Sequence, residues 1–235
     1  QIRKQKGLKT NEISKHMIFT GNPGTGKTTI ARLVSRMMKA CGILKQGQLV
    51  EVTRADLVGK YVGHTAPLTM SVIQSALGGV LFIDEAYSLY RGKDDSFGLE
   101  AIDTLVKAME DHRDDLIVIL AGYTREMKEF LEANSGLKSR FANIIEFSDY
   151  TGEELMLIAK SIAKGKDYVI AEDALRPLQD YFTIIQAQND PNSGNGRLAR
   201  NLVEDAILHQ SKRLLENPDA QMNLLEREDF NLGER

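Results

Sequence analysis

Short apolar runs alternate along the chain with longer stretches in which apolar residues recur every three or four positions. The runs at residues 16–20, 49–53, 80–84, 116–121 and 143–147 are too short for helices and read as strands. Several of them lack a polar side, the pattern of a parallel sheet covered on both faces. Between them, the segments at about 27–40 and 67–77, and the stretch carrying Leu99, Ile102, Val106 and Met109, follow helical spacing. After about Asp149 the strand pattern stops. Helices are predicted over 151–164, 171–188 and 196–216, the first opened by a capping box with Thr151 as N-cap and Glu154 at N3. Residues 190–196 are the most loop-like segment. The reading is an α/β domain over residues 1–148, with a parallel sheet and flanking helices, followed by a small helical domain over 149–235.

Composition narrows this only slightly. The chain has 235 residues, 42% apolar and 27% charged, with a formal net charge of -3. That is an ordinary globular balance, and it gives no global attraction to nucleic acid or anionic lipid. No apolar run approaches the ~20 residues needed to cross a bilayer, and no secretory signal opens the chain. The first residue is Gln1 rather than methionine, which reads as a fragment. The single cysteine, Cys41, cannot form an internal disulfide; it fits a reducing compartment, the cytoplasm, and a small buried helical position. The four histidines show no metal-ligand spacing. The basic runs Arg3-Lys4-Gln5-Lys6 and Lys164-Gly165-Lys166 are short enough to be solvated faces.

Two motifs carry chemistry. Gly21-Asn22-Pro23-Gly24-Thr25-Gly26-Lys27-Thr28 matches G-x-x-x-x-G-K-[ST] between a predicted strand and a predicted helix. Glycines let backbone N–H groups turn toward phosphate oxygens, the helix start adds its positive dipole end, and Lys27 supplies a compact charge. The Thr28 hydroxyl is suited to Mg²⁺, and Thr29 follows it in the same helix turn. The second motif is the apolar run at 80–83 ending in Asp84-Glu85. In a parallel sheet such a pair emerges at the carboxyl edge, where ligands bind. Asp84 would hold Mg²⁺ through water, and Glu85 would orient and polarise an attacking water. The implied ligands are ATP and Mg²⁺.

Four segments together narrow the class: Gly21 to Thr28; Leu81-Phe82-Ile83-Asp84-Glu85-Ala86-Tyr87-Ser88-Leu89; Leu120-Ala121-Gly122-Tyr123-Thr124-Arg125-Glu126-Met127; and Gly136-Leu137-Lys138-Ser139-Arg140-Phe141. They resemble the AAA+ ATPases, and within them the group containing stage V sporulation protein K and the red-type Rubisco activase CbbX. The likeness runs from about Lys15 to the helix after Gly196. It implies a P-loop NTPase sheet with a C-terminal lid, ATP hydrolysis, and assembly into a homo-oligomeric ring, of six as in that family, acting on a protein substrate. It also implies roles for single residues. Arg140 would reach a neighbour's γ-phosphate. Thr124, or Tyr123, would be the polar sensor after the fourth strand. Arg197, or Arg200, would be the lid arginine in Gly194-Asn195-Gly196-Arg197. Tyr61 and Val62, in Gly59-Lys60-Tyr61-Val62-Gly63, would grip substrate in a pore, against the plainer reading of Tyr61 packed on its own domain. Residues 91–98 read either as a second pore loop or as a solvated connection.

Other functional classes remain as alternatives: a Rubisco activase proper, a nucleotide-switched assembly scaffold, a nucleic-acid motor and a small-molecule kinase. The acidic balance and the lack of a basic stripe weigh against the motor. The Asp84-Glu85 pair and the arginine-bearing lid weigh against the kinase.

Overall fold

The structure, a computed structural model, describes residues 14–188, 190–191, 193–217 and 220–233. The basic run at residues 3–6 lies outside them. The chain divides into two compact units. One holds the residues up to Thr20 together with Thr28–Glu146; the other holds Gly21–Lys27 together with the residues from Phe147 onward.

The first unit is built on a five-stranded sheet of order β2-β3-β4-β1-β5, with β1 at Met17–Gly21, β2 at Leu49–Val52, β3 at Val80–Ile83, β4 at Ile117–Gly122 and β5 at Asn143–Phe147. Every residue of β1, β3 and β4 is buried, which is why these runs show no polar side. β2 and β5 stand at the edges and are more exposed. Pairing is parallel between β1 and β4, β3 and β4, and β2 and β3. The register sets Thr20 opposite Gly122, Ile83 opposite Leu120 and Val52 opposite Ile83. The residues that follow, including Asp84 and Tyr123, therefore leave from one carboxyl edge.

Helices α1 (Lys27–Ala40), α2 (Arg54–Leu57), α3 (Thr65–Ala76), α4 (Ser96–Asp111), α5 (Thr124–Ala133) and α6 (Ser135–Arg140) complete this unit. Its core joins Ile18, Leu81, Ile83, Val118 and Leu120 of the sheet to Ile73, Leu105, Met109, Met127 and Phe130 of the helices. Cys41 lies just beyond α1 and is exposed, so the expected burial of this small residue is wrong: the helix has ended before the thiol could turn inward.

The second unit packs α7 (Gly152–Gly165), α8 (Glu172–Ala187) and α9 (Gly196–Glu216) around Leu155, Ala159, Leu178, Phe182, Ala199 and Val203. The capping box is present: the Thr151 hydroxyl accepts from the N–H of Glu154 at 3.2 Å, and Glu154 accepts from the N–H of Thr151 at 2.8 Å. The expectation that strands stop after Asp149 fails, because β6 (Val169–Ile170) pairs in parallel with β7 (Leu224–Leu225). Two-residue strands leave no periodicity to read. A half-buried ion-pair cluster accompanies them: Arg213 reaches the buried Asp229 at 2.8 Å and Glu226 at 3.0 Å.

Candidate functional site

The glycine-rich loop leaves β1 at Gly21 and ends where Lys27 opens α1. Inside it, Lys27 Nζ donates to the carbonyl oxygens of Gly21 at 2.7 Å and Asn22 at 2.8 Å. Thr25 Oγ1 donates to the Asn22 carbonyl at 2.9 Å. Thr28 is half-buried in the first turn of α1, and Thr29 is exposed.

The next three carbonyls are taken by residues of the helical unit to which the loop belongs. Pro23 O accepts from Asn195 Nδ2 at 3.4 Å, Gly24 O from the N–H of Gly196 at 3.1 Å, and Thr25 O from the Tyr150 hydroxyl at 3.0 Å. Among the described residues no cis peptide occurs. In a planar trans peptide the C=O and the next N–H point in opposite directions. The N–H groups of Gly24, Thr25 and Gly26 are thus turned away from those partners, and none of them has a hydrogen-bond partner among the described residues. Successive free N–H groups of this kind form a concavity for anions. Close approach explains two of the glycines. A Cβ at Gly24, where φ is +75°, would lie 2.1 Å from the Gly194 carbonyl oxygen, and one at Gly26 would lie 2.9 Å from the Tyr150 hydroxyl.

Asn22 Nδ2 reaches both carboxylate oxygens of Asp149, at 3.1 and 2.9 Å. Arg197 stands in the first turn of α9; its backbone nitrogen is 3.1 Å from where a Gly24 side chain would begin. Arg200 lies farther along α9, and both arginine side chains are exposed.

In the α/β unit, Asp84 follows β3 directly and accepts the N–H of Glu85 at 3.0 Å. Glu85 is exposed and sits in the left-handed region, φ 47° and ψ 44°. This conformation costs a non-glycine residue on the order of 1–3 kcal/mol and turns its side chain out of the strand direction. Tyr87 lies in the short turn just after this pair. Burial, then the charge of Glu85, pushes its hydroxyl up to about 12, so it remains protonated. Its ring lies 5.9 Å from that of Tyr123, the N-cap of α5. Thr124, the first residue of α5, is exposed.

Arg140 ends α6 with its side chain 30% exposed. One guanidinium nitrogen donates to the Gly136 carbonyl at 3.1 Å and another lies 3.7 Å from Glu110, while Nε is buried without a partner among the described residues. Between α2 and α3, Tyr61 is 68% and Val62 87% exposed. Tyr61 is therefore not packed into the domain; its ring meets the edge of the His64 ring, at 5.5 Å. The stretch at 91–98 is more than a solvated connection. Asp95 caps α4 through the N–H of Gly98 at 3.1 Å and binds Arg54 in two bonds of 2.7 and 3.0 Å. The Arg54 guanidinium holds the Asp95 carboxyl below the usual carboxylate range.

Sequence reasoning missed Asp149, Tyr150, Tyr87 and Asn195. Only Asn195 left a signal: an asparagine between two glycines at a helix start is a residue suited to positive φ.

The family described as "ATPase family associated with various cellular activities (AAA)" matches residues 17–149, and the AAA lid domain matches 151–235. The chain is 50% identical to stage V sporulation protein K of Bacillus subtilis (strain 168) over 92% of its own length and 67% of that protein. It is 46% identical to CbbX of Cereibacter sphaeroides over 91% of this chain and 69% of that one. It is 44% identical to the chloroplastic ribulose bisphosphate carboxylase/oxygenase activase of Cyanidioschyzon merolae, over 93% and 74%. In fold it is similar to the AAA domain of FIGL-1 in complex with ADP, with a TM-score of 0.64 at 20% identity, covering 97% of this chain and 73% of that one.

Proposed function

The chain belongs to the AAA family of ATPases, in the group of stage V sporulation protein K and CbbX, and on that premise we propose that it works as a ring, hexameric, that uses ATP hydrolysis to pull on a protein chain through a central pore. The observation that carries the nucleotide part is that the N–H groups of Gly24, Thr25 and Gly26, three in succession, have no hydrogen-bond partner among the described residues. A polyanion satisfies them, and Gly21, Asn22 and Pro23 complete the loop that surrounds it.

In this reading Lys27 exchanges the carbonyls of Gly21 and Asn22 for β- and γ-phosphate oxygens, and Thr29 adds its hydroxyl beside the phosphates. The Thr28 hydroxyl and the Asp84 carboxylate, both oxygen donors, would hold Mg²⁺, which would neutralise charge on the phosphate oxygens. Glu85 orients and polarises the water that attacks the γ-phosphorus, its left-handed backbone aiming the carboxylate away from the sheet. Thr124 senses the γ-phosphate from the end of β4. Arg140 neutralises charge on a neighbouring subunit's phosphoryl oxygens. Its incomplete hydrogen bonding at home favours that exchange. Arg197 couples the nucleotide to the lid.

Tyr61 and Val62 grip the substrate. An exposed aromatic beside an exposed valine is costly on a monomer surface and useful against an extended peptide. Among the described residues no helix is long and apolar enough to cross a membrane. The exposed thiol of Cys41 fits the reducing cytoplasm as the place of action. Steady-state turnover of ATP by the wild type, against Glu85→Gln, tests the hydrolytic part: the wild type releases phosphate and the variant does not.

A further inference from the structure

Asn195 has no exposed surface, and its backbone adopts φ 47° and ψ −123°, a conformation few side chains tolerate. Its carboxamide makes four hydrogen bonds. Oδ1 accepts from the N–H of Tyr150 at 3.0 Å and from Gln186 Nε2 at 3.2 Å. Nδ2 donates to Asp149 Oδ1 at 2.8 Å and to the Pro23 carbonyl at 3.4 Å. The same Asp149 carboxylate holds Asn22, so both ends of this chain of bonds finish on the phosphate loop. The next residue, Gly196, donates to Gly24, and the one after it is Arg197. By its contacts the loop at Gly21–Lys27 groups with the helical unit and not with the sheet from which it emerges.

We propose that Asn195 is a positioning residue for nucleotide: its carboxamide fastens the phosphate loop, the Asp149–Tyr150 segment and the first turn of α9 into one body. The loop N–H groups and the helix carrying Arg197 then move together, so that nucleotide held by the loop sets the position of the lid helix. This inference rests on the nucleotide reading above. A buried asparagine that only closes a turn would matter for folding and not for ligand affinity. The two roles therefore separate in measurement.

The probe is a fluorescent mant-ADP titration on the wild type, Lys27→Ala, Asn195→Gly and Asn195→Asp, with thermal unfolding of each in the absence of nucleotide. Glycine accepts the backbone conformation freely, so Asn195→Gly removes the carboxamide without adding strain. It is expected to raise the mant-ADP dissociation constant about tenfold while the nucleotide-free protein unfolds within a few degrees of the wild type. Asn195→Asp keeps the size but sets a carboxylate against Asp149, the one charged group among the hydrogen-bond partners of Asn195 in the described residues. It is expected to bind mant-ADP still more weakly than Asn195→Gly does, because it sets two like charges in contact where Asn195 Nδ2 donates to Asp149 Oδ1 at 2.8 Å. If Lys27→Ala loses mant-ADP while both Asn195 variants bind it as the wild type does, the positioning role is overturned and the nucleotide reading stands. A wild type that binds no mant-ADP overturns both.

Discussion

The hydroxyl of Tyr150 donates to the carbonyl oxygen of Thr25 at 3.0 Å, so a residue far outside the G-x-x-x-x-G-K-[ST] motif fixes a peptide inside it. The same hydroxyl lies 2.9 Å from where a side chain at position 26 would begin, which is one reason the motif has glycine there. Tyr150→Phe keeps the ring and removes the donor. We expect ATP to bind about three- to tenfold more weakly, with little change in unfolding temperature, as measured by titration and calorimetry.

On the proposed mechanism, substitutions at Glu85 and Lys27 should separate hydrolysis from binding. Glu85→Gln should retain ATP with near wild-type affinity while turnover falls by about a hundredfold or more. Lys27→Ala should lose measurable binding altogether. Equilibrium titration beside a phosphate-release assay distinguishes the two, and a Glu85→Gln variant that turns ATP over normally would remove this glutamate from the mechanism.

Tyr61 makes few contacts in its own chain, so Tyr61→Ala should leave stability within about 0.5 kcal/mol and basal ATPase nearly intact. What should be lost is any stimulation of turnover by an unfolded protein chain, and any remodelling of it. A Tyr61→Ala variant that still remodels would favour a nucleotide-switched scaffold over a threading machine.

The stability of the α/β unit should fall in mild acid because of His16. Its Nδ1 accepts the backbone N–H of Val118 at 3.0 Å, which requires the neutral ring. Burial, with the charges of Lys15 and Arg140 adding, lowers its pKa from 6.5 to about 4. The unfolded chain therefore binds the proton first as pH falls below 6.5. Stability is full above that value and declines toward pH 4, by about 2 kcal/mol at pH 5. Urea unfolding at pH 7 and pH 5 measures this, and His16→Gln should flatten the difference.

The strands, the helices after Gly21 and after Asn195, and the capping box at Thr151 were legible because each rests on local spacing: apolar runs, helical periodicity, a hydroxyl three residues before a glutamate. Local spacing also placed the glycine-rich loop between β1 and α1 and the two acids directly after β3. What stayed hidden depends on distant partners. β6 and β7 are too short to show a period and exist because Arg213 and its acidic cluster bring residues 224–229 back to α9. Cys41 was misjudged because the helix end, and not residue type, decides its exposure. Asp149, Tyr150 and Asn195 act on the loop across 125 or more positions of chain, a relationship no spacing rule encodes.

The central claim is that each ATP site is completed by Arg140 of a neighbouring subunit. The most direct test is ATPase activity per chain over a wide range of protein concentration, with the oligomeric state followed by sedimentation, for the wild type and for mixtures of Arg140→Ala with Glu85→Gln. The account predicts specific activity that rises with assembly and then saturates. It also predicts that the two variants, each inactive alone, regain part of the activity when mixed, because one supplies the arginine and the other the glutamate. Activity per chain that stays constant down to concentrations where the protein is monomeric, or an Arg140→Ala variant that hydrolyses ATP normally by itself, would contradict it.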